Sequence, residues 1–261
     1  MNHIELGFAD LHVHTTASDG LTSPADCLGL AQISGLDSLA ITDHDEIEGA
    51  IEASKKASEK KIPIFVVLGT EITTAQGHLV ALFINSKIPM FRSLVDTVKL
   101  IHEQRGLAVA PHVGVGIPPA SIAPETISGL YKRGQWLDGI EILNPIFDRR
   151  HENQARDLWR KYNLAAIGAS DDHYGNVGRY AVTCYQGFVS DALRRAIESR
   201  RTIAMKSALS PLPISPYEQV YQHARSLTKD LRKKIANSPE LVSTLIFLRR
   251  EQLEQIFIRK N

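Results

Sequence analysis

Six of the chain's ten histidines fall in five short clusters, four of which also carry aspartate or glutamate. The clusters read DLHVHTTASDG (Asp10 to Gly20), ITDHDEIEG (Ile41 to Gly49), GTEITTAQGH (Gly69 to His78), APHVG (Ala110 to Gly114) and GASDDHYG (Gly168 to Gly175). Imidazole nitrogen and carboxylate oxygen together are the ligand set of zinc, manganese or iron. No single cluster carries enough donors for a complete coordination shell, so a site must be assembled by the fold.

The spacings sharpen this. His12 and His14 are one residue apart at a strand end, where alternating side chains put both on one face. Asp171 and His173 have the same spacing. Asp19 follows a Thr-Thr-Ala-Ser loop that reads as flexible, so its carboxylate can swing in to complete a coordination shell. His44 closes a second strand, Glu71 a third, His78 opens the run HLVALFI, and His112 ends LAVAPH. Glu71 is placed to bridge two ions, because a carboxylate has two oxygens. Of the other histidines, His3, His102 and His223 read as surface residues and His151 starts a helix. Arg149, Arg150 and Arg179 fall in loops from which a guanidinium can clamp a phosphate. With Lys206 they would form a basic rim.

The elements that must position these residues alternate along the chain. Short β-rich runs (FADLHVH, DSLAITD, IPIFVVLGTE, HLVALFI, LAVAPHV, GIEILNP, LAAIGAS, YAVTCY, TIAMK) are separated by helical stretches. Repeated β-then-α units predict a parallel sheet, and this many of them a barrel. Barrel enzymes keep their chemistry at the C-terminal strand ends, where every cluster lies. After residue 209 the proline-rich SPLPISP marks a break. Two helices are expected beyond it, over Tyr217 to Lys234 and Pro239 to Ile258, as a hairpin packed on the barrel, an oligomer contact or a lid. The expected domains are therefore 1–209 and 210–261.

Bulk properties set bounds. A chain of 261 residues with 43% apolar content can bury a large core. A formal charge of +1 argues against strong sequence-independent binding of duplex DNA but not against small phosphorylated substrates. Cys27 and Cys184 lie in no paired motif and read as buried free thiols of a reducing compartment. The first residues lack the pattern of a signal peptide, and no apolar run approaches membrane-spanning length, so a cytoplasmic protein is expected.

The ordered set HxH…SDG, TDHD, GTE…H, PH and SDDH resembles the PHP (polymerase and histidinol phosphatase) superfamily of metal-dependent phosphoesterases, over about Asp10 to Lys206. The resemblance implies a distorted (β/α)7 TIM-like barrel with a trinuclear metal site. Its nine ligand positions match His12, His14, Asp19, His44, Glu71, His78, His112, Asp171 and His173. By position, His12, His14, Glu71 and Asp171 would hold one ion, Glu71, His78 and His112 a second, and Asp19, His44 and His173 a third. The implied activity is phosphoester hydrolysis by a metal-bridging hydroxide, with Glu71, Asp171 and His173 at the reacting centre and Arg179 and Arg149 toward substrate. The expected cofactors are two or three divalent ions (Zn, Mn or Fe). The expected substrate is a nucleotide, a short oligonucleotide or another small phosphomonoester. Histidinol phosphate, or a regulatory metal-binding role without turnover, are the alternatives. The last motif reads SDDH where SDFH or SDAH is commoner, and Asp172 is expected to point away from the metals. Only about thirty residues separate His78 from His112, so no inserted domain caps the mouth.

Overall fold

The computed structural model describes residues 5–116, 120–187 and 190–236, with side chains omitted at 190 and 230–236. Nine strands and seven helices alternate through them. In chain order they are β1 (Leu6–Asp10), α1 (Pro24–Ile33), β2 (Ser38–Ile41), α2 (Glu48–Lys60), β3 (Phe65–Thr74), β4 (Gly77–Leu82), α3 (Leu94–Glu103), β5 (Leu107–Ala110), α4 (Pro124–Lys132), β6 (Gly139–Leu143), α5 (Arg149–Tyr162), β7 (Ala165–Gly168), β8 (Ala181–Gln186), α6 (Ser190–Glu198), β9 (Ile203–Lys206) and α7 (Pro216–Ala236).

Strands β2, β5, β6 and β7 are buried at every residue. Such runs suit a sheet covered on both faces, inside and out. Helix starts follow local chemistry. Ser23 caps α1 by accepting the Asp26 N–H, with Pro24 in the first turn, and Ser93 caps α3 in the same way through Asp96. Asp148 caps α5 by accepting the His151 N–H.

The strands form one sheet in the order β7-β6-β5-β4-β3-β2-β1-β8-β9. It curls into a nearly closed barrel. The seam is made by a side chain: Thr183 Oγ1 accepts the Gly168 N–H at 3.1 Å and donates to the Gly168 carbonyl at 2.9 Å. The barrel expectation holds, but the sheet is not all parallel. Seven strands run one way, while β4 and β8 run against them through antiparallel pairings with β3, β5, β1 and β9. The cause is a tight turn between β3 and β4. β3 continues past Glu71 to Thr74, and three residues later, at Gly77, the chain is already returning. A hairpin turn forces antiparallel pairing, whereas parallel strands need a crossover. Gly77 makes this turn possible: its φ is +133°, and a Cβ there would lie 2.4 Å from the Ile122 nitrogen.

The core packs helices onto the outside of the barrel, around Leu28, Leu39, Ile41 and Ala50 on one side and Ile72, Leu79, Ile101 and Ile140 on the other. Both cysteines are buried and unpaired. Residues Met1–Ser215 form one compact unit and Pro216–Asn261 a second. The segment after β9 belongs to the first because Leu212 exchanges hydrogen bonds with the Asn176 side chain, and the Arg179 guanidinium donates to the Ser210 carbonyl. In the second unit α7 falls where a helix is expected over Tyr217 to Lys234; the expected helix over Pro239 to Ile258 lies outside the described residues. No helix among the described residues is long and apolar enough to cross a membrane.

Candidate metal centre

All nine expected donors meet at the barrel mouth. Glu71, on β3 and 1% exposed, is the hub. Its Oε1 lies 2.9 Å from His112 Nε2 and 3.2 Å from His78 Nδ1. Its Oε2 lies 3.4 Å from both His12 Nε2 and His14 Nε2, and 3.1 Å from His44 Nδ1. The two oxygens therefore face different histidine sets, as a bridging carboxylate requires. Asp171 Oδ1 stands 3.5 and 3.4 Å from the Nε2 atoms of His12 and His14, and those two nitrogens are 3.0 Å apart. On the outer side, Asp19 lies 3.5 Å from His173 Nε2, 3.8 Å from His14 Nδ1 and 3.9 Å from His44 Nε2.

These spacings fit bound divalent cations. Ligand atoms 2.0–2.1 Å from a tetrahedral ion stand about 3.3 Å from one another. Four overlapping groups have one donor atom per residue, all within 4.8 Å: His14, Asp19, His44 and His173; His12, His14 and Asp171; His12, Glu71 and His112; and His44, Glu71 and His78. His14 is fully buried, and its Nδ1 has no hydrogen-bond partner. A buried ring nitrogen without a partner is costly in a protein interior and is satisfied by a cation.

The electrostatics point the same way. Burial alone would raise the Glu71 carboxyl, but His78, His44, His12 and the His112 hydrogen bond hold it well below the usual carboxylate range. Asp171 is likewise pushed up by burial and pulled well below by His12, His14, His112 and His173. Burial would also raise Asp19, yet His173, His44 and His14 hold it below its ordinary value. Among the imidazoles, burial lowers His173 but Asp19 and Asp171 push it up to about 9, whereas burial drives His44 down to about 3 against the pull of Glu71. Three ionised carboxylates packed among histidines demand positive charge.

The way each donor arrives differs in part from expectation. β1 ends at Asp10, so His12 and His14 sit beyond it, held in extended form by the pairing of Val13 with Asp172. Alternation does not explain Asp171 and His173, because Asp171 has a φ of +48°. Its left-handed backbone, and that of His112 (φ +26°), aim side chains that a regular strand would send elsewhere. Nor is the Asp19 loop loose. Asp43 accepts from the backbone N–H and hydroxyl groups of both Thr15 and Ser18. Gly20 then packs on the His14 carbonyl, where a Cβ would meet the oxygen at 2.4 Å. Asp172 points away from the donors, as expected, and accepts the N–H groups of Tyr174 and Gly175.

Four buried carboxylates around the site are not among the nine expected ligands, three of them inside the same clusters. Asp43 has the role just described. Asp10 accepts from Ser170 and Gly178, and Asp45 from the N–H and hydroxyl of Thr73. Glu141 on β6 takes the His12 ring. The only sequence signal of Glu141 is a charged residue inside a fully buried strand. Among the expected substrate contacts, Arg149 and Arg150 are exposed at the start of α5 and Lys206 at the end of β9, all at the mouth end by chain direction. The structure brings none of them into the donor cluster, and Arg179 has one arm on Ser210. His102 is not a free surface residue: its Nε2 lies 2.9 Å from Asp138, and its ring stacks on Trp136. His223 is exposed on α7, as expected, and His151 sits in the first turn of α5 beside Asp148; His3 lies outside the described residues.

Comparison with known proteins places this geometry. The PHP domain profile matches residues 10–209. The chain belongs to the PHP domain family. It is 36% identical over 147 residues to an uncharacterized protein of Methanocaldococcus jannaschii, covering 52% of this chain and 81% of that one. It is 36% identical over 116 residues to a 5'-3' exoribonuclease of Haemophilus influenzae (42% of each chain). It is 30% identical over 164 residues to a 3',5'-nucleoside bisphosphate phosphatase of Chromobacterium violaceum (59% of this chain, 54% of that). The matches thus span about half the length of the two relatives whose names state an activity. Two solved structures share the fold. One is a two-domain protein of Bacteroides vulgatus containing a predicted PHP-like metal-dependent phosphoesterase (TM-score 0.67, 23% identity, 86% of this chain and 71% of that). The other is PsfC of Pseudomonas syringae (TM-score 0.60, 18% identity, 86% and 99%).

Proposed function

We propose that this PHP domain hydrolyses phosphoesters with two or three divalent ions of the zinc, manganese or iron type, held by His12, His14, Asp19, His44, Glu71, His78, His112, Asp171 and His173. The observation that carries the reading is the split of Glu71, whose two oxygens face separate histidine sets. Ions bound there lower the pKa of water toward neutrality and offset charge on phosphoryl oxygens. The protein's own part is to hold the three carboxylate donors ionised, to orient the donor set through buried carboxylates, and to leave His173 and Asp171, the partly exposed neighbours of Glu71, toward the substrate side. Arg149 and Arg179, at the mouth end, are the cations assigned to the substrate's phosphate.

The substrate class is a nucleotide, a short oligonucleotide or another small phosphomonoester. The names of the exoribonuclease and the bisphosphate phosphatase support nucleotide chemistry, and the near-neutral charge supports short over long polyanions. The test joins metal analysis of the purified protein to a phosphate-release panel of mononucleotides, nucleoside bisphosphates, five-nucleotide strands and histidinol phosphate. Release from a nucleotide substrate that ceases on chelation and returns with Mn²⁺ or Zn²⁺ supports the reading. A protein that holds no more than one ion after metal supplementation overturns it.

A further inference from the structure

We infer that Glu141 is a positioning residue for the metal centre, a single carboxylate that sets the orientation of two donor residues from different strands. The inference rests on the metal-binding reading above.

Glu141 is 1% exposed in the middle of β6, whose other residues are apolar or glycine. A carboxylate in such a place carries a large desolvation cost unless its oxygens are fully engaged. Here they are. Oε1 lies 2.8 Å from His12 Nδ1. Oε2 accepts the His112 backbone N–H at 2.9 Å and an Asn144 side-chain N–H at 2.8 Å. Asn144 in turn reaches toward Asp171 Oδ2 at 3.5 Å and anchors its own oxygen on the Ile146 N–H. The partners of this pair therefore belong to His12 after β1, His112 after β5 and Asp171 after β7, which flank β6 or face it across the barrel.

The chemistry of the His12 contact is directional. A ring that donates from Nδ1 to a carboxylate presents the lone pair of Nε2 on its far side. For His12 that side holds Glu71, His14 and Asp171. The second contact fixes the backbone of His112 at its left-handed φ, and with it the direction of the ring toward Glu71 Oε1. A carboxylate serving only the scaffold would bond loop backbone, as Asp172 does with the N–H groups of Tyr174 and Gly175. Glu141 instead bonds the ring of one donor and the backbone of another. A glutamine cannot replace it: with the amide oxygen on His12, the amide NH2 would face two donors, the His112 N–H and the Asn144 side chain.

The experiment compares wild type, Glu141→Gln and Glu141→Asp after the metal has been stripped. Circular dichroism reports the fold of each apo-protein. Zinc affinity is measured by competition with a chromogenic chelator, and the cobalt-loaded visible spectrum reports coordination. In zinc-loaded wild type, ¹⁵N NMR of the histidine rings reports which His12 nitrogen carries the proton. The expected result is a folded apo Glu141→Gln that still reaches the wild-type zinc content at saturation. One of its ions binds roughly 10–100-fold more weakly, as for other outer partners of metal ligands. Its cobalt bands shift, Glu141→Asp recovers part of the affinity, and wild-type His12 carries its proton on Nδ1. A folded Glu141→Gln with zinc affinity and cobalt spectrum within about twofold of wild type would overturn the inference, well short of the 10–100-fold expected. So would a wild-type His12 protonated on Nε2, a measurement that decides the matter even if Glu141→Gln does not fold. Zinc-binding wild type with an indifferent Glu141 refutes this inference alone, whereas wild type that binds no divalent ion refutes the metal reading as well.

Discussion

Glu71 draws five histidine nitrogens toward two oxygens, more than any other residue of the cluster. Glu71→Gln keeps the shape but removes the charge and one acceptor, so both groups it faces lose their shared donor. The expected outcome is loss of at least one ion per chain and a fall in kcat/KM beyond the roughly 100-fold typical of an outer partner. Elemental analysis and phosphate release measure the two effects. The control is Lys99→Ala, a mostly exposed position on α3 whose ion pair among the described residues is to Glu103, which should change neither. His102 is unsuitable as a control, because its contacts to Asp138 and Trp136 make it part of the packing. At this scale most of the site is legible in the sequence. Histidine and carboxylate in short clusters at strand ends announce ligands whatever their angles. Glu141 is not legible, because GIEILNP reads as a core strand and nothing local says where its lone carboxylate finds a donor.

The loops between elements are held by carboxylates that are not expected ligands. Asp43 ties down the Asp19 loop, Asp45 the end of β3, Asp10 the Ser170–Gly178 stretch, and Asp172 the turn after it. Each satisfies backbone N–H groups that a loop leaves without a helix or sheet partner. Asp43→Ala removes the acceptor of two backbone N–H groups and two hydroxyls at buried positions. At about 1–3 kcal/mol per orphaned buried donor, partly relieved by water, it should cost about 3 kcal/mol. For a unit of this size that is a fall in Tm of roughly 6–12 °C. It should also weaken the ion held by Asp19 while sparing the group around Glu71, His12 and His112. Calorimetry of the apo-protein and zinc titration separate the two; equal loss at every ion would show that Asp43 does not act through its loop. The β–α alternation is readable from apolar runs, but the β3–β4 hairpin is not. Its turn, Thr74 to Gly77, lies inside a cluster whose residue types speak of chemistry, and the apolar run before it stops short at Glu71. The left-handed residues Asp171 and His112 are hidden for a related reason, since their backbone is set by contacts far away in the chain.

At the scale of the whole molecule, ions and substrate compete with the same imbalance. Carboxylates gathered at one end of a barrel repel one another until cations arrive, so the loaded protein should be markedly more stable than the stripped one. An ion present at a thousand times its Kd stabilises by about 4 kcal/mol. That is roughly 8–16 °C in Tm for a unit of this size. Chelation followed by differential scanning calorimetry should therefore lower Tm by at least that amount, and the difference between loaded and stripped protein should shrink below about pH 6, where protons displace ions from histidine. A stripped protein melting with the loaded one would contradict the metal reading. On the proposed reading the same surface sets substrate choice. The net charge is only +1, so long-range attraction of polyanions is weak. The exposed cations at the mouth end, Arg149, Arg150 and Lys206, act only within a Debye length of about 8 Å at physiological salt. On the proposed reading they would hold one terminal phosphate rather than a long strand. Turnover should thus favour a nucleotide or five-nucleotide strand over a long one, with duplex DNA bound weakly and released by added salt. Comparing kcat/KM for the three lengths at low and physiological ionic strength checks this. A long strand preferred at both would mean that binding reaches beyond the mouth, and would overturn the small-substrate reading in favour of a nuclease.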